Sequence, residues 1–341
     1  MNRKHFIVIF FLVAGIVACD KDNLDAIFPG FHKPGNFPEP TYHFTTNPVT
    51  QDGFELGKKL FYDPVLSVNN TISCGSCHIQ SSGFTQHGHS VSHGIFDRIG
   101  TRNSQPIMNL AWSPSFMWDG GVFDLDLQPI APITNHVEMG ESVSSVLGKL
   151  KKSTVYPPLF KKAFGTTDIT TASFLKALSQ FMVMCVSNNA KYDSVKRNQS
   201  VFSDDERAGY SVYQQKCSSC HTEPLFTGHS FRNNGLSISL INDMGRYAVT
   251  LQNSDKYTFK TPSLRNLAFT PPYMHDGRFF TLDAVLDHYT SQVQATPNLD
   301  PILQNGSQLG IELTTVERQQ LLTFLKTLND KTFVTDKRFA E

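Results

Sequence analysis

The sequence predicts a mainly α-helical protein in which one module occurs twice and long loops join the helices. Apolar residues recur at helical spacing in five segments: 144–152, 171–186, 203–215, 282–289 and 315–328. Convincing strand patterns are scarce. The stretches 86–101 and 231–251 are rich in Gly, Ser and Asn, a composition typical of loops.

Two of the helical segments open with a capping box. Ser203 is followed three residues later by Glu206, and Thr314 by Glu317, so each pair can satisfy free backbone N–H groups at a helix start. The first of these helices runs up to Cys217. We therefore expect that helix to deliver this cysteine to its site.

Two pentapeptides have the form Cys-x-x-Cys-His. Their key residues are Cys74, Cys77 and His78 in the first, and Cys217, Cys220 and His221 in the second. Two thiols at this spacing can each form a thioether to one edge of a porphyrin, and the adjacent histidine can then bind its iron. The sequence therefore predicts two covalently bound haem c groups.

Zinc is the main alternative, because two Cys-x-x-Cys pairs with added His also suit a tetrahedral zinc site. Zinc ribbons keep their pairs close in sequence, whereas these pairs lie 143 residues apart. A thioredoxin-like redox site would need only one pair and no histidine after it. The pattern favours haem over both.

An internal repeat accompanies the two pentapeptides. Residues 109–126 align without gaps on residues 266–283, and ten of the eighteen positions are identical. The copies are 157 residues apart, close to the 143 residues that separate the pentapeptides. We therefore predict two cytochrome c-like haem domains, at 49–197 and 198–341.

The N-terminus has the layout of a secretory signal. A basic start precedes an apolar run over 6–18, which is short for a membrane-spanning helix. The run ends in Ile-Val-Ala-Cys, which resembles the lipobox of bacterial lipoproteins, so we expect 1–18 to be removed and Cys19 to carry a lipid anchor. An ordinary cleaved signal and an uncleaved anchor are the alternatives. We expect export to the periplasm or cell envelope, with 19–48 as a solvated tether.

Composition bounds the core and the partners. The 341 residues are 40% hydrophobic, which is enough for a core in each of two domains. Cys185 is the one cysteine left without a role, and its apolar neighbours predict a buried free thiol. Thirty basic and thirty acidic residues balance, which argues against nucleic acid as a partner.

Several motifs together resemble one known family. They are Arg-Asn at 102–103, Phe-Met-Trp-Asp-Gly at 116–120, Glu-Met-Gly at 138–140, Lys-Thr-Pro-Ser-Leu-Arg-Asn at 260–266 and Pro-Tyr-Met-His-Asp-Gly at 272–277. Over nearly the whole mature chain, the sequence is similar to the bacterial dihaem cytochrome c peroxidases and their relative MauG, the dihaem enzyme of methylamine utilisation.

The resemblance implies a division of labour between the two haems. The haem on His78 would bind hydrogen peroxide, and the haem on His221 would take electrons from an external donor. Glu138 matches the family's catalytic glutamate and Gln128 its companion in the distal pocket, where an acid/base group helps the O–O bond break. Trp118 matches a tryptophan between the haems that would relay electrons or holes, although plain core packing is also compatible with it.

Tyr289 stands where ordinary dihaem peroxidases carry a methionine ligand and where MauG carries a ligating tyrosine. In the repeat, its counterpart in the first module is Pro132, which cannot ligate iron. An anionic oxygen ligand stabilises ferric iron and should lower the potential of the second haem. Met274 and His288 are the rival ligands, and a buried tyrosine with a hydrogen-bonded hydroxyl is the plain alternative.

Two further sites are implied by the same resemblance. His93 stands where many of these peroxidases keep a loop histidine that ligates the resting first haem, although MauG lacks this switch and His87 and His89 are nearby. A calcium ion is implied between the modules. Its ligands would be Asn103 and the backbone carbonyls of Thr270 and Pro272.

Three functions remain open on the sequence. The first is a peroxidase that reduces hydrogen peroxide to water with electrons from a small cytochrome c or cupredoxin. The second is a MauG-like oxidase that modifies a protein substrate through a high-valent bis-haem state. The third is a non-catalytic dihaem electron carrier, which would need a permanent sixth ligand on both irons. A homodimer is compatible with each of them.

Overall fold

The computed structural model describes residues 28–341. The predicted signal peptide, Cys19 and the first part of the predicted tether lie outside the described residues. Within the described range, no helix is both long enough and apolar enough to cross a membrane.

Twelve helices make up most of the regular structure of the described residues. The first seven are α1 (Gln51–Tyr62), α2 (Cys74–Cys77), α3 (Ile130–Thr134), α4 (Val143–Lys152), α5 (Tyr156–Phe164), α6 (Thr171–Met184) and α7 (Lys191–Lys196). The remaining five are α8 (Asp204–Lys216), α9 (Tyr247–Thr250), α10 (Leu282–Asp287), α11 (Thr315–Lys326) and α12 (Lys331–Val334). Seven short 3-10 turns and one π turn, His288–Gln292 after α10, join them.

Strands are few and short. β1 (Phe231–Arg232) pairs antiparallel with β2 (Phe259–Lys260), and β3 (Gln304–Asn305) pairs with β4 (Gln308–Leu309). The predicted mainly helical class is therefore confirmed. All five predicted helical segments are helical, while the sequence pattern did not predict α1, α5 and the short helices α2, α3, α7, α9 and α12.

Two helix pairs form the main cores of the described residues. α1 packs on α6, and Phe54, Phe61 and Phe181 are buried between them and their neighbours. α8 packs on α11 around a second cluster that includes Tyr213 and Phe324. The second pentapeptide therefore follows α8 directly, and the first, which begins in α2, contacts α1.

A glycine lies at the contact of each pair. A Cβ atom at Gly57 of α1 would collide with the backbone carbonyl of Ala177 in α6. A Cβ atom at Gly209 of α8 would collide in the same way with the carbonyl of Gln320 in α11. These two backbones approach more closely than any larger residue allows.

The two copies of the internal repeat have matching local structure. Asn109 and Asn266 both adopt left-handed backbone angles, with φ of 56° and 63°. Met117 and Met274 do the same, with φ of 69° and 75°. Each copy also closes with an isolated antiparallel bridge, 116 to 122 in the first and 273 to 279 in the second.

Residues 28–48 differ from the solvated tether that the sequence predicts. Phe37 is 3% exposed and packs edge-on against Trp112, whose indole N–H donates to the carbonyl of Pro38 over 2.8 Å. The Tyr42 hydroxyl donates to Asp126 at 2.7 Å. Aromatic residues give this segment enough apolar surface to bind the first core.

The C-terminus also returns to the first core. Phe333 and Phe339 are buried with the residues of α1 and α6 rather than with α8 and α11. A fully buried ion pair lies between the halves of the chain, because Arg265 makes two 2.8 Å hydrogen bonds to Asp193 of α7. The two halves are therefore tied together by packing and by charge.

Candidate functional site

The first pentapeptide folds as a single helical turn. Ser73 and Ser76 form a capping box at its start, and α2 presents Cys74 and Cys77 on one turn. His78 follows at once, and its Nδ1 lies 2.7 Å from the carbonyl oxygen of Phe84. Burial lowers the pKa of His78, so the ring is neutral. A neutral imidazole whose Nδ1 is engaged by a carbonyl has Nε2 available for a metal.

The second pentapeptide begins at the end of α8. Cys217 is the C-cap of that helix, as the capping pattern predicted. The Nδ1 atom of His221 lies 3.0 Å from the carbonyl oxygen of Pro262, and the Tyr213 hydroxyl donates to the carbonyl of His221. Burial lowers the pKa of His221 to about 4. Both histidines thus have Nδ1 anchored by a backbone carbonyl.

None of the described cysteines forms a disulfide. Burial raises the pKa of the Cys74 and Cys217 thiols to about 12. Among residues 28–341, no group of three or more His, Cys, Asp or Glu side chains is arranged to hold a metal. The two pairs therefore do not assemble into the zinc site considered as an alternative.

A cavity of about 690 Å³ opens beside the first pentapeptide. Its walls include Cys74, Cys77 and His78 together with apolar side chains such as Met108 and Met182. This volume lies in the range of small-molecule and cofactor sites. Two thiols and a free imidazole nitrogen at one apolar cavity are the donor set that a covalently attached haem requires.

Glu138 and Gln128 both line this cavity, as does Pro132. The Asn135 amide donates to Glu138 Oε1 over 2.7 Å. Burial raises the pKa of Glu138, and the hydrogen bond from Asn135 opposes part of that rise. The sequence did not point to Asn135, because a single asparagine in a turn carries no motif.

Trp118 lies in the wall between the two halves of the chain. It is 7% exposed, and its indole N–H donates to the carbonyl of Asn103 over 2.8 Å. Its own carbonyl accepts from the backbone N–H of Lys260 in β2 at 2.8 Å. Met117 of the same turn accepts a 3.9 Å contact from the Gln128 amide.

Tyr289 lies in the π turn after α10 and packs against the small cluster of Val293, Leu299 and Leu303. Burial raises the pKa of Tyr289 to about 12, although a hydrogen bond from the Asn234 side chain opposes part of that rise. Cys220 and Cys217 are close enough to add to the rise. Its ring therefore lies near the second pentapeptide.

Both rival ligands have other partners in this structure. The Nε2 atom of His288 lies 2.9 Å from the carbonyl of Asn234, and His288 is 2% exposed. The Met274 sulfur accepts from the Asn234 amide at 3.4 Å.

The ring of His93 is engaged outside the first cavity. Its Nδ1 lies 2.7 Å from Asp97, and its ring packs on His89 at 4.8 Å. The neighbouring residues Ser92 and Gly94 line the cavity, but His93 does not.

Asn103, Thr270 and Pro272 are all buried. The Asn103 amide nitrogen lies 2.6 Å from the Pro272 carbonyl oxygen, while its Oδ1 is buried with no hydrogen-bond partner. Arg102, beside it, binds Asp119 and Asp243 over 2.6 Å each and so ties the repeat to the loop 233–246.

Comparisons with known proteins agree with this geometry. A family model described as di-haem cytochrome c peroxidase matches residues 51–201. MauG of Methylorubrum extorquens is 35% identical, over 90% of this chain and 86% of its own length. Cytochrome c551 peroxidase of Nitrosomonas europaea is 32% identical, over 82% of this chain and 81% of its own.

A solved structure has a similar fold. The crystal structure of a MauG-like protein associated with microbial copper homeostasis superposes with a TM-score of 0.80 at 29% identity. The match covers 91% of this chain and 98% of that protein.

Proposed function

Since this chain belongs to the bacterial dihaem cytochrome c peroxidase and MauG family, we propose that it reduces hydrogen peroxide to water at a haem carried by His78. Electrons would enter through a second haem, carried by His221. The family assignment makes the protein a haem peroxidase-type oxidoreductase with two haem groups. Each haem, when bound, supplies an iron that accepts and passes on single electrons.

The observation that carries this proposal is Glu138 beside His78 in one cavity. Reduction of peroxide to two waters consumes two electrons and two protons, and one oxygen must gain a proton as the O–O bond breaks. Glu138 would take the proton from the near oxygen and return it to the far one. Burial and the Asn135 bond hold its carboxyl in place for both steps.

The wall residues would keep the first site open. Pro132 offers no ligating atom where the second copy of the repeat has Tyr289, so peroxide can approach from that side. Gln128 adds an amide to the same wall. Because His93 is engaged by Asp97, we propose that the first site is open at rest. A ligand switch would require the ring to leave Asp97.

We propose Tyr289 as the distal ligand of the second haem. Its proximity to Cys217 and Cys220 supports this, as does the bond between His288 Nε2 and the Asn234 carbonyl, which occupies that rival. Trp118, held between the two halves of the chain, would be the relay between the sites.

The two modules are proposed to be copies of one haem domain, 49–197 and 198–341. The matched glycine contacts of α1 on α6 and α8 on α11 support this, as do the matched left-handed turns of the repeat.

A calcium ion between the modules is also proposed. The donor set fits, because the orphaned Asn103 Oδ1 and the Pro272 carbonyl are hard oxygen atoms. If the Asn103 amide turned over, its Oδ1 would lie beside the Pro272 carbonyl, and the Thr270 carbonyl is the third ligand that the family implies.

Covalent thioether attachment, export, the Cys19 lipid anchor, a small cytochrome or cupredoxin donor and a homodimer are proposals on the sequence pattern and the family. Together they describe an enzyme of the periplasm or cell envelope that receives electrons from a small redox protein.

A MauG-like oxidation of a protein substrate is the second candidate function. The specific observation for it is Tyr289, because a tyrosine here departs from the peroxidase pattern. The 35% identity to MauG is consistent with it. Trp118 would then carry oxidising equivalents from the first site towards the second.

Glu138→Gln tests the peroxidase proposal. Glutamine keeps the size of the side chain and its acceptor oxygen, but it cannot take up and release a proton. Peroxide turnover with a small electron donor should therefore fall about 10²–10⁴-fold. Haem content and both resting spectra should stay as in the wild type. Full turnover in this variant would remove Glu138 from the mechanism.

A further inference from the structure

Unpaired polar atoms mark one wall of the first cavity. Among the described residues, four buried side-chain polar atoms have no hydrogen-bond partner, and His229 Nε2 and Thr261 Oγ1 are two of them. Both residues line the cavity that also contains the first pentapeptide. Buried polar groups are almost always paired, so these two atoms indicate a polar ligand that would complete their hydrogen bonds.

A buried lysine precedes Thr261 in the chain. Lys260 lines the same cavity and is 8% exposed. Its ammonium donates to the carbonyl of Ser115 at 2.7 Å, and no carboxylate among residues 28–341 lies within 4 Å to neutralise it. An ammonium has three N–H donors, so two remain available. Burial lowers the pKa of Lys260 to about 8, and the more distant Asp119 carboxylate opposes part of that fall.

Local backbone structure brings the three side chains together. The β1–β2 ladder pairs Phe231 with Lys260, and the Thr261 N–H continues it by donating to Ser230 at 2.8 Å. His229, next in line, adopts a left-handed φ of 52°, which histidine adopts more often than most residues other than glycine. Burial and the Lys260 charge lower the pKa of His229 to about 4. We call His229, Lys260 and Thr261 the donor wall.

We propose that the donor wall binds the propionate carboxylates of the haem at the first site. This rests on the proposed attachment of that haem at Cys74 and Cys77. The thiols bind vinyl-derived carbons of the macrocycle, which leaves the two propionates on another edge. Two carboxylates would satisfy the remaining donors of the Lys260 ammonium together with the unpaired imidazole nitrogen and hydroxyl.

The donor wall comes from the second half of the chain. The first haem would therefore be held by both modules, with its thioethers on one and its carboxylates on the other. A ferric haem has one more positive charge than a ferrous haem, so the Lys260 cation should disfavour the ferric state. Lys260 then raises the reduction potential of the first haem.

The holoprotein with Lys260→Met tests this directly. The potentials of both haems are measured by spectroelectrochemistry, without peroxide. We expect the potential of the first haem to shift to a more negative value, the second to stay in place, and Lys260→Arg to resemble the wild type. Lys256→Met, which changes a half-buried lysine that packs over the Tyr247 ring, is the matched control and should shift neither potential. An unchanged first potential in Lys260→Met, or a shift confined to the second haem, would overturn the proposal.

A milder variant covers the case in which Lys260→Met does not retain two haems. Thr261→Val removes one donor and keeps the shape, and resonance Raman reads the propionate bending mode of the ferrous protein. A shifted mode is expected, and an unshifted mode would overturn the donor wall. Both measurements proceed without peroxide, so loss of the peroxidase proposal would leave their outcome unaffected.

Discussion

Glu138 is the residue on which proton movement in the proposed reaction depends. Its environment pulls its pKa in two directions, since burial raises it and the Asn135 amide lowers it. The balance sets how much of the carboxyl is ionised at neutral pH. Asn135 is therefore a positioning residue that acts through Glu138.

Asn135→Ala should reveal this role. Without the donated hydrogen bond, the ionised carboxylate loses stabilisation, so the pKa of Glu138 rises further. The acid limb of the pH–rate profile should move to higher pH. Below the new pKa, a rise of about one pH unit in that pKa should lower turnover about tenfold, because the ionised fraction of the carboxyl falls by that factor. The profile of peroxide turnover from pH 5 to 8 is the measurement.

The control for this variant is Asn69→Ala, which removes a half-buried asparagine whose side-chain oxygen accepts hydrogen bonds from Thr71. It should leave the profile unchanged. An Asn135→Ala enzyme with lower activity but the wild-type acid limb would mean that Asn135 acts only through folding.

The sequence predicted the pentapeptide residues and Glu138 because each belongs to a motif with fixed spacing. It could not predict the direction in which the His93 ring points, since a glycine-rich loop leaves that to the Asp97 contact. It also missed His229, whose role depends on a left-handed backbone angle and on a strand pairing with distant residues.

At the scale of the element, the paired helices position each haem site. α8 was predictable because its capping box and its apolar spacing agree. α1 was missed because Gly53 and Gly57 weaken its helical pattern, and those glycines are required by the close approach of α6. Helix propensity alone does not show the packing that such a residue serves.

The glycines at the two helix contacts should be intolerant of even one methyl group. Gly57→Ala and Gly209→Ala each place a Cβ against a backbone carbonyl, which cannot rotate away. We expect each to lower the free energy of unfolding by about 1–3 kcal/mol. Thermal unfolding of the holoprotein, followed by far-ultraviolet circular dichroism, measures this.

Gly148→Ala is the matched control, because Gly148 lies within α4 and a Cβ there would meet nothing within 4 Å. Alanine favours the helix, so this variant should gain about 0.4–1 kcal/mol. Equal effects in all three variants would show that helix propensity, rather than close packing, decides their stability.

At the scale of the whole molecule, the halves are joined by contacts that no local pattern predicts. Residues 28–48 and the C-terminal Phe333 and Phe339 both pack on the first core. The sequence indicated the duplicated module through its repeat, but the packing of these segments depends on tertiary contacts. The Pro- and Gly-rich composition of residues 28–48 suggested a tether. The structure shows that aromatic side chains anchor this segment on the first core.

The buried Arg265–Asp193 pair should contribute strongly to the union of the halves. Arg265→Met leaves the Asp193 carboxylate buried beside fewer donors, and we expect a loss of about 3–5 kcal/mol in the free energy of unfolding. Chemical denaturation of the holoprotein provides the measurement. The double variant Arg265→Met with Asp193→Leu should recover part of the loss.

Arg338→Met is the surface control, because Arg338 pairs with Asp336 where the arginine side chain is 51% exposed. Such pairs are worth about 0–1 kcal/mol. A loss in Arg265→Met no larger than in this control would contradict a structural role for the buried pair.

In the proposed enzyme, peroxide reacts at an open first site while Tyr289 closes the second. Electron paramagnetic resonance of the oxidised holoprotein, followed by one addition of hydrogen peroxide, tests it most directly. We predict one high-spin ferric haem and one low-spin haem, with both signals lost on addition of peroxide. Two low-spin haems that respond to peroxide only after one-electron reduction would contradict the account and make His93 a ligand of the resting first haem.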